Sequence, residues 1–253
     1  MTNKLKYFIG NWKMFGDFTS IKIINKVNTF AKRLKKVNKK NKIIFCIPYT
    51  LLHIFSSKLN NNLIILGAQN CHEQSGHGAF TGSVSSSMLR KSGAKYVILG
   101  HSENRKSGET NSQIKKKIES ALEEKLNVIF CIGESLQDKK KGKTFFVLRK
   151  QIRDSISKKF KLNKIIIAYE PIWSIGTGKI PKSKDLRKTF NFIKTNFKSN
   201  FKTKKFPIVL YGGSVNDKNI KMFSFISEID GFLIGGASQS SKKFIDIIKN
   251  YYK

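Results

Sequence analysis

Lys13, His101 and Glu170 are the residues of this sequence whose types and positions suit proton chemistry. Each comes just after a short apolar run rich in β-branched and aromatic residues: Tyr7–Ile9, Tyr96–Leu99 and Ile165–Tyr169 respectively. A carboxylate held at such a point can act as a general base. An imidazole kept neutral by the N-terminus of a following helix can donate a hydrogen bond to developing negative charge. An ammonium can hold an anionic substrate in place. Plainer readings stand beside these. Glu170 also fits an ordinary surface carboxylate, His101 a histidine satisfied near a helix cap, and Lys13 one solvated lysine among many.

Two glycine pairs, Gly212-Gly213 and Gly235-Gly236, follow the last two apolar runs, with Ser214 directly after the first pair. Glycines let backbone N–H groups approach a phosphate closely, and barrels often bind phosphate on the loops after strands seven and eight. One pair alone reads as a tight turn, but two at consecutive strand ends favour a phosphate cradle. Gly176-Thr177-Gly178-Lys179 is not a P-loop, because that pattern needs glycine where Trp173 stands and Ser or Thr where Ile180 stands. Pro171–Lys179 is apolar and glycine-bearing, the composition of a lid over a ligand. Cys71, His72 and His77 lack a fourth ligand at a recognised spacing, so no metal site and no cofactor are expected.

These residues need elements that bring them to one place. Eight continuous apolar runs recur at intervals too long for hairpins: Tyr7–Ile9, Ile43–Ile47, Leu63–Leu66, Tyr96–Leu99, Val128–Ile132, Ile165–Tyr169, Ile208–Tyr211 and Phe232–Ile234. Continuous rather than alternating runs suit strands buried on both faces. Between them lie segments of helical period, with apolar residues from Ile21 to Leu34, Ile114 to Leu122, Phe145 to Ile156, Leu186 to Phe197 and Phe244 to Ile248. Strand–helix alternation along the whole chain predicts parallel βαβ units, and eight units in 253 residues match a closed (β/α)8 TIM barrel. The rival is a doubly wound open sheet. Pro48, Pro171 and Pro207 flank strand runs and Pro181 lies in a loop, so no proline breaks an element. No linker, low-complexity stretch or composition shift marks a boundary, so residues 1–253 are expected to form a single barrel domain.

Composition narrows the class. Hydrophobic residues are 40% and aromatics 11%, too apolar for a disordered chain. No apolar run approaches the ~18 residues of a membrane span, and the opening residues lack a signal-peptide pattern. Three cysteines, Cys46, Cys71 and Cys131, lie far apart with no CxxC, which points to a reducing, cytoplasmic setting. Lys and Arg number 49 against 16 Asp and Glu, a formal net charge of +33. Such a field attracts anions of many kinds. The lysine runs at Lys32–Lys42, Lys115–Lys117, Lys139–Lys143, Lys158–Lys161, Lys202–Lys205 and Lys242–Lys243 are expected on outer helix faces and their far ends. No nucleic-acid motif accompanies them, so they read as a solvated ring rather than an RNA or DNA surface.

In order along the chain stand Gly10-Asn-Trp-Lys-Met14, Gly67-Ala-Gln-Asn70, Gly78-Ala-Phe-Thr-Gly82, Gly100-His-Ser-Glu103, Cys131-Ile-Gly-Glu134, Ala168-Tyr-Glu-Pro-Ile-Trp-Ser-Ile-Gly-Thr-Gly178, Tyr211-Gly-Gly-Ser-Val215 and Gly235-Gly-Ala237. Through these blocks the chain resembles, over nearly its whole length, the triosephosphate isomerase family. It implies interconversion of dihydroxyacetone phosphate and D-glyceraldehyde 3-phosphate through an enediolate. Glu170 would be the base, His101 the neutral electrophile, and Lys13 and Asn11 the rest of the electrostatic pocket. Glu103 and Ser102 would support them from behind. Gly176, Ser214, Gly235 and Gly236 would hold the phosphate, and Pro171–Lys179 would close as a lid. No cofactor is implied. Another phosphate-binding barrel, such as a sugar-phosphate epimerase or an indole-glycerol-phosphate synthase, would account for the glycines. It would not account for Lys13, His101 and Glu170 in these contexts.

The resemblance also implies a homodimer built on the loop Cys71–Gly82, with Thr81 near Asn11 of the partner subunit. Two positions depart from the family pattern. Ser83 stands where Glu is usual and Asn104 where Arg is usual, and in the family those two side chains typically pair across the interface. The dimer is therefore expected to form without that ion pair.

Overall fold

Eight parallel strands close into a barrel in chain order: β1 (Lys6–Asn11), β2 (Asn41–Cys46), β3 (Ile64–Ala68), β4 (Tyr96–Leu99), β5 (Asn127–Ile132), β6 (Ile165–Tyr169), β7 (Ile208–Tyr211) and β8 (Gly231–Ile234). The computed structural model describes residues 5–36, 41–59 and 63–253. Met1–Lys4 and the centre of the Lys32–Lys42 run lie outside the described residues. Pairing of β1 with β8, Tyr7 against Gly231 through Gly10 against Ile234, closes the ring and removes the open-sheet alternative. Every predicted strand is present within a residue or two of its expected limits.

Both faces of each strand are buried, which is why the runs are continuous in apolarity. One shell fills the barrel interior, with Tyr7, Ile9, Ile44, Tyr96, Ile98, Ile129, Ile166, Leu210 and Leu233 among its members. The other, larger shell lies between strands and helices and takes the alternate residues, such as Phe8, Phe45, Val97, Phe130 and Phe232. The barrel is thus a packed core, and a ligand must bind at one end of it.

The helices are α1 (Ile21–Lys36), α2 (Tyr49–Lys58), α3 (Ser86–Lys91), α4 (Ser102–Lys106), α5 (Asn111–Glu123), α6 (Leu136–Lys140), α7 (Thr144–Ser155), α8 (Ser183–Phe201), α9 (Ile220–Phe223) and α10 (Ser241–Tyr251). Periodicity anticipates α1, α5, α7, α8 and α10. It gives no expectation for the others. Helices α3, α4, α6 and α9 are too short to display a period, and α2 carries apolar residues around most of its surface. No helix among the described residues is long and apolar enough to cross a membrane.

Candidate active site

The C-terminal ends of the strands surround a cleft of about 360 Å³, lined by Asn11, Lys13, His101, Glu170, Gly176, Ser214, Gly235 and Gly236 together with lid and strand-end neighbours. The structure thus brings all three proton-chemistry candidates and all the expected phosphate residues to one concavity.

At the end of β1, Trp12 is fully buried and its indole N–H donates to the Ser238 carbonyl at 3.0 Å. This anchor leaves Asn11 and Lys13, on either side of it, directed into the cleft. Lys13 has φ of 55°, an uncommon conformation for a residue with a side chain. Its backbone N–H donates to Asn11 Oδ1 at 3.1 Å, and Gln69 Nε2 donates to its carbonyl at 2.9 Å. The Lys13 ammonium meets Glu103 Oε1 at 2.5 Å. That bond and the nearby His101 hold the Glu103 carboxyl below its usual range, although partial burial pushes it the other way.

His101 caps α4. Its Nδ1 accepts the Glu103 backbone N–H at 3.3 Å, so the imidazole, when neutral, carries its proton on Nε2. That Nε2 faces Glu170 Oε1 at 3.4 Å. Glu170 is buried to 2% exposure, and its second oxygen accepts from the Ser102 backbone N–H at 3.4 Å. Ser102 therefore contributes its main chain rather than its hydroxyl. Burial raises the Glu170 carboxyl above its ordinary value, outweighing the opposing pull of His101, the Cys131 thiol and the Ser102 amide. A base with this bias accepts a proton more readily than a solvated carboxylate.

Two glycines make room for Glu170. A Cβ on Gly212 would lie 2.7 Å from Glu170 Cγ, and one on Gly133 would lie 1.8 Å from the Glu170 carbonyl oxygen. On the far side of the cleft a Cβ on Gly235 would meet only Lys13 Cε, at 3.8 Å, and one on Gly236 would meet nothing. The cradle is therefore open and bordered by main chain, with the Lys13 side chain reaching over it. Pro171–Lys179 lies against the loop that follows β7, where Gly178 N–H donates to Ser214 Oγ at 3.2 Å.

Several participants lie outside the expected set. Gln69, at the end of β3, ties Asn11, the Lys13 carbonyl and the Cys46 carbonyl together. Reading strand ends as functional could have found it. Arg105 donates to the Gly100 carbonyl at 2.8 Å and the Cys131 carbonyl at 3.3 Å, pinning the ends of β4 and β5. No sequence signal separates it from the other basic residues. Glu134 is buried, and its Oε1 accepts from Tyr169 and from the Trp173 indole at 2.9 Å. Of the residues considered above as metal ligands, His72 packs its ring against Phe80 at 4.2 Å and its Nδ1 accepts from the Gln74 N–H, and the Cys71 thiol faces the Lys117 carbonyl.

Residues 6–251 match the family model described as triosephosphate isomerase. The triosephosphate isomerase of Dictyoglomus turgidum is 39% identical over 253 residues, covering 97% of this chain and 99% of that one. That of Dictyostelium discoideum is 39% identical over 257 residues, covering 99% and 98%. Among solved structures, the triosephosphate isomerase of Bartonella henselae superposes with a TM-score of 0.88 at 32% identity, covering 98% of this chain and 99% of that one.

Proposed function

The chain belongs to the triosephosphate isomerase family, and on that premise we propose a role for each group around its cleft. The reaction is the interconversion of dihydroxyacetone phosphate and D-glyceraldehyde 3-phosphate, an aldose–ketose isomerisation of glycolysis that also serves the reverse flux of gluconeogenesis.

Glu170 takes a proton from the carbon beside the substrate carbonyl and returns it to the neighbouring carbon. His101, protonated on Nε2, donates to the oxygen on which charge develops, and Lys13 and Asn11 stabilise that charge. Glu103 holds Lys13, and the Ser102 amide holds Glu170. The phosphate sits among Gly176, Ser214, Gly235 and Gly236, and Pro171–Lys179 closes over it. Closure excludes water and discourages loss of phosphate from the enediolate. A carboxylate, an imidazole and an ammonium together suffice for this chemistry. The observation that carries the reading is His101 Nε2 at 3.4 Å from Glu170 Oε1, in a cleft whose opposite wall is glycine backbone. A coupled assay with dihydroxyacetone phosphate tests it. Glu170→Gln is expected to lose at least ~10³-fold in kcat, within the range general-base catalysis supplies. Equal rates in variant and wild type would remove Glu170 from its role.

The chain acts as a single barrel domain, in the cytoplasm, as a homodimer. Support for the dimer comes from the apolar side chains exposed around Cys71–Gly82: Met14, Tyr49, Phe80 and Met88 are all open to solvent in the lone chain. Ser83 and Asn104 leave that interface without an ion pair at their positions. Sedimentation at submicromolar concentration is expected to find a dimer, and a mainly monomeric species would overturn this. The excess of lysine serves no nucleic-acid partner.

A further inference from the structure

We propose that Ser174 is the clasp of the lid, a positioning residue whose hydroxyl joins the two ends of Pro171–Lys179 and ties both to β7. This rests on the isomerase reading and adds to it the residue that sets how firmly the lid docks.

Ser174 is fully buried. Its Oγ lies 2.6 Å from the Lys179 carbonyl, 3.0 Å from the Tyr211 hydroxyl and 3.5 Å from the Ser214 backbone N. Its own carbonyl accepts from Ser214 Oγ at 2.6 Å. The direction of these bonds follows from valence. A carbonyl only accepts, so the one Ser174 proton goes to Lys179, and Tyr211 must donate to Ser174. Burial pushes the Tyr211 phenol up to about 12, so that proton is present throughout the working range. The result is a directed chain from Tyr211 through Ser174 to Lys179, in which each bond polarises the next.

The surroundings are built around this pair. A Cβ on Gly213 would come 2.3 Å from the Tyr211 hydroxyl and 2.7 Å from Ser174 Oγ. Gly213 thus leaves space for the clasp while also bordering the cleft. Within the lid, Gly176 and Gly178 both have positive φ, 67° and 74°, so the tip is the glycine-dependent part. The ends, by contrast, are tied to each other and to the barrel. Tied ends keep Gly176 and Gly178 over the cradle. Without the Ser174 hydroxyl, Tyr211 loses its acceptor and Lys179 its donor, and both losses fall on the docked form. The docked fraction then drops and the cradle is complete less often. An enediolate reached in that state has a larger chance of expelling its phosphate. The C–O bond breaks, the electron pair leaves with the phosphate, and the remaining enol rearranges to a neutral α-keto aldehyde.

The test compares wild type, Ser174→Ala and Ser174→Cys with dihydroxyacetone phosphate, measuring isomerisation and inorganic phosphate release together. Ser174→Ala is expected to lose about tenfold in kcat/KM, the equivalent of one hydrogen bond removed from the docked form, chiefly through a raised KM. Phosphate released per isomerisation should rise several-fold, and the acid limb of the pH profile, which belongs to Glu170, should not move. Ser174→Cys keeps the volume and a weak donor, so it should lose less than Ser174→Ala but more than twofold in kcat/KM, and it carries the same criteria if the alanine variant does not fold. A variant with kcat/KM within twofold of wild type, or with unchanged phosphate release per turnover, overturns the clasp even if its melting temperature falls. Binding of inorganic phosphate, followed by Trp173 fluorescence, requires no base. It should weaken in Ser174→Ala and stay as in wild type in Glu170→Gln, so a failure of the clasp is told apart from a failure of the base assignment.

Discussion

The base role proposed for Glu170 requires an ionised carboxylate, yet the residue sits where ionisation is disfavoured. Two measurable consequences follow from the same burial. The acid limb of kcat/KM, which reports the free enzyme, should lie above the ordinary carboxylate range of ~4.3. Stability should respond in the opposite sense. A carboxyl whose folded value exceeds its unfolded value binds more protons when folded, so stability falls as pH rises through the window between the two values. Below the unfolded value both states are protonated and nothing is lost. Glutamine keeps the shape and cannot ionise. Glu170→Gln should therefore melt above wild type at pH 7. The gap should close near pH 4. Scanning calorimetry at the two pH values decides this, and an equal or lower melting temperature for the variant at pH 7 would remove burial as the dominant influence on this group.

Elements divide the same barrel into an end that reacts and an end that only closes the ring. Gly133 and Gly231 are both positions where a Cβ would strike backbone, 1.8 Å from the Glu170 carbonyl oxygen and 2.2 Å from the Tyr7 carbonyl oxygen respectively. Gly133 follows β5 at the cleft end, whereas Gly231 opens β8 at the other end. Alanine at either site should destabilise by about 1–3 kcal/mol. Gly133→Ala should also displace Glu170 and, if that residue is the proposed base, cut kcat at least tenfold, whereas Gly231→Ala should leave kcat within twofold. Equal kcat losses in both would show that strain spreads across the barrel rather than staying at its own end. The strands that carry these glycines were legible because burial on both faces writes an unbroken apolar run such as Ile165–Tyr169. Lys13, His101 and Glu170 were legible for the same reason, each standing where a run gives way to polar residues. What escaped reading lacks such a local mark. Helix α9 covers four residues, Arg105 acts through carbonyls brought together only by closure of the ring, and Ser174 matters because Tyr211 and Lys179 meet it in space.

For the whole molecule the open physical question is what a net charge of +33 does to capture of a dianionic substrate. Distance and salt decide the answer. Lys202, Lys204 and Lys205 are exposed on the loop between α8 and β7, at the barrel end opposite the cleft. At 0.01 M ionic strength the screening length is about 30 Å, comparable with the width of a barrel, so these charges can act on a substrate approaching the cleft. At 0.15 M it is about 8 Å, and only charges at the cleft itself, such as Lys13, can act. Reversing all three lysines to glutamate should therefore lower kcat/KM about two- to threefold at 0.01 M and leave it unchanged at 0.15 M. kcat should hold at both, because the roles proposed for His101, Glu170 and Lys13 are exerted inside the cleft, on substrate already bound. Salt anions also compete for a phosphate cradle, and that effect depends on which anion is used. Chloride and sulfate matched in ionic strength separate the two, since field capture follows ionic strength alone. If the triple variant tracks wild type at 0.01 M, or if the salt response follows anion identity, the far-end lysines contribute nothing to capture and the cradle accounts for the anion preference by itself.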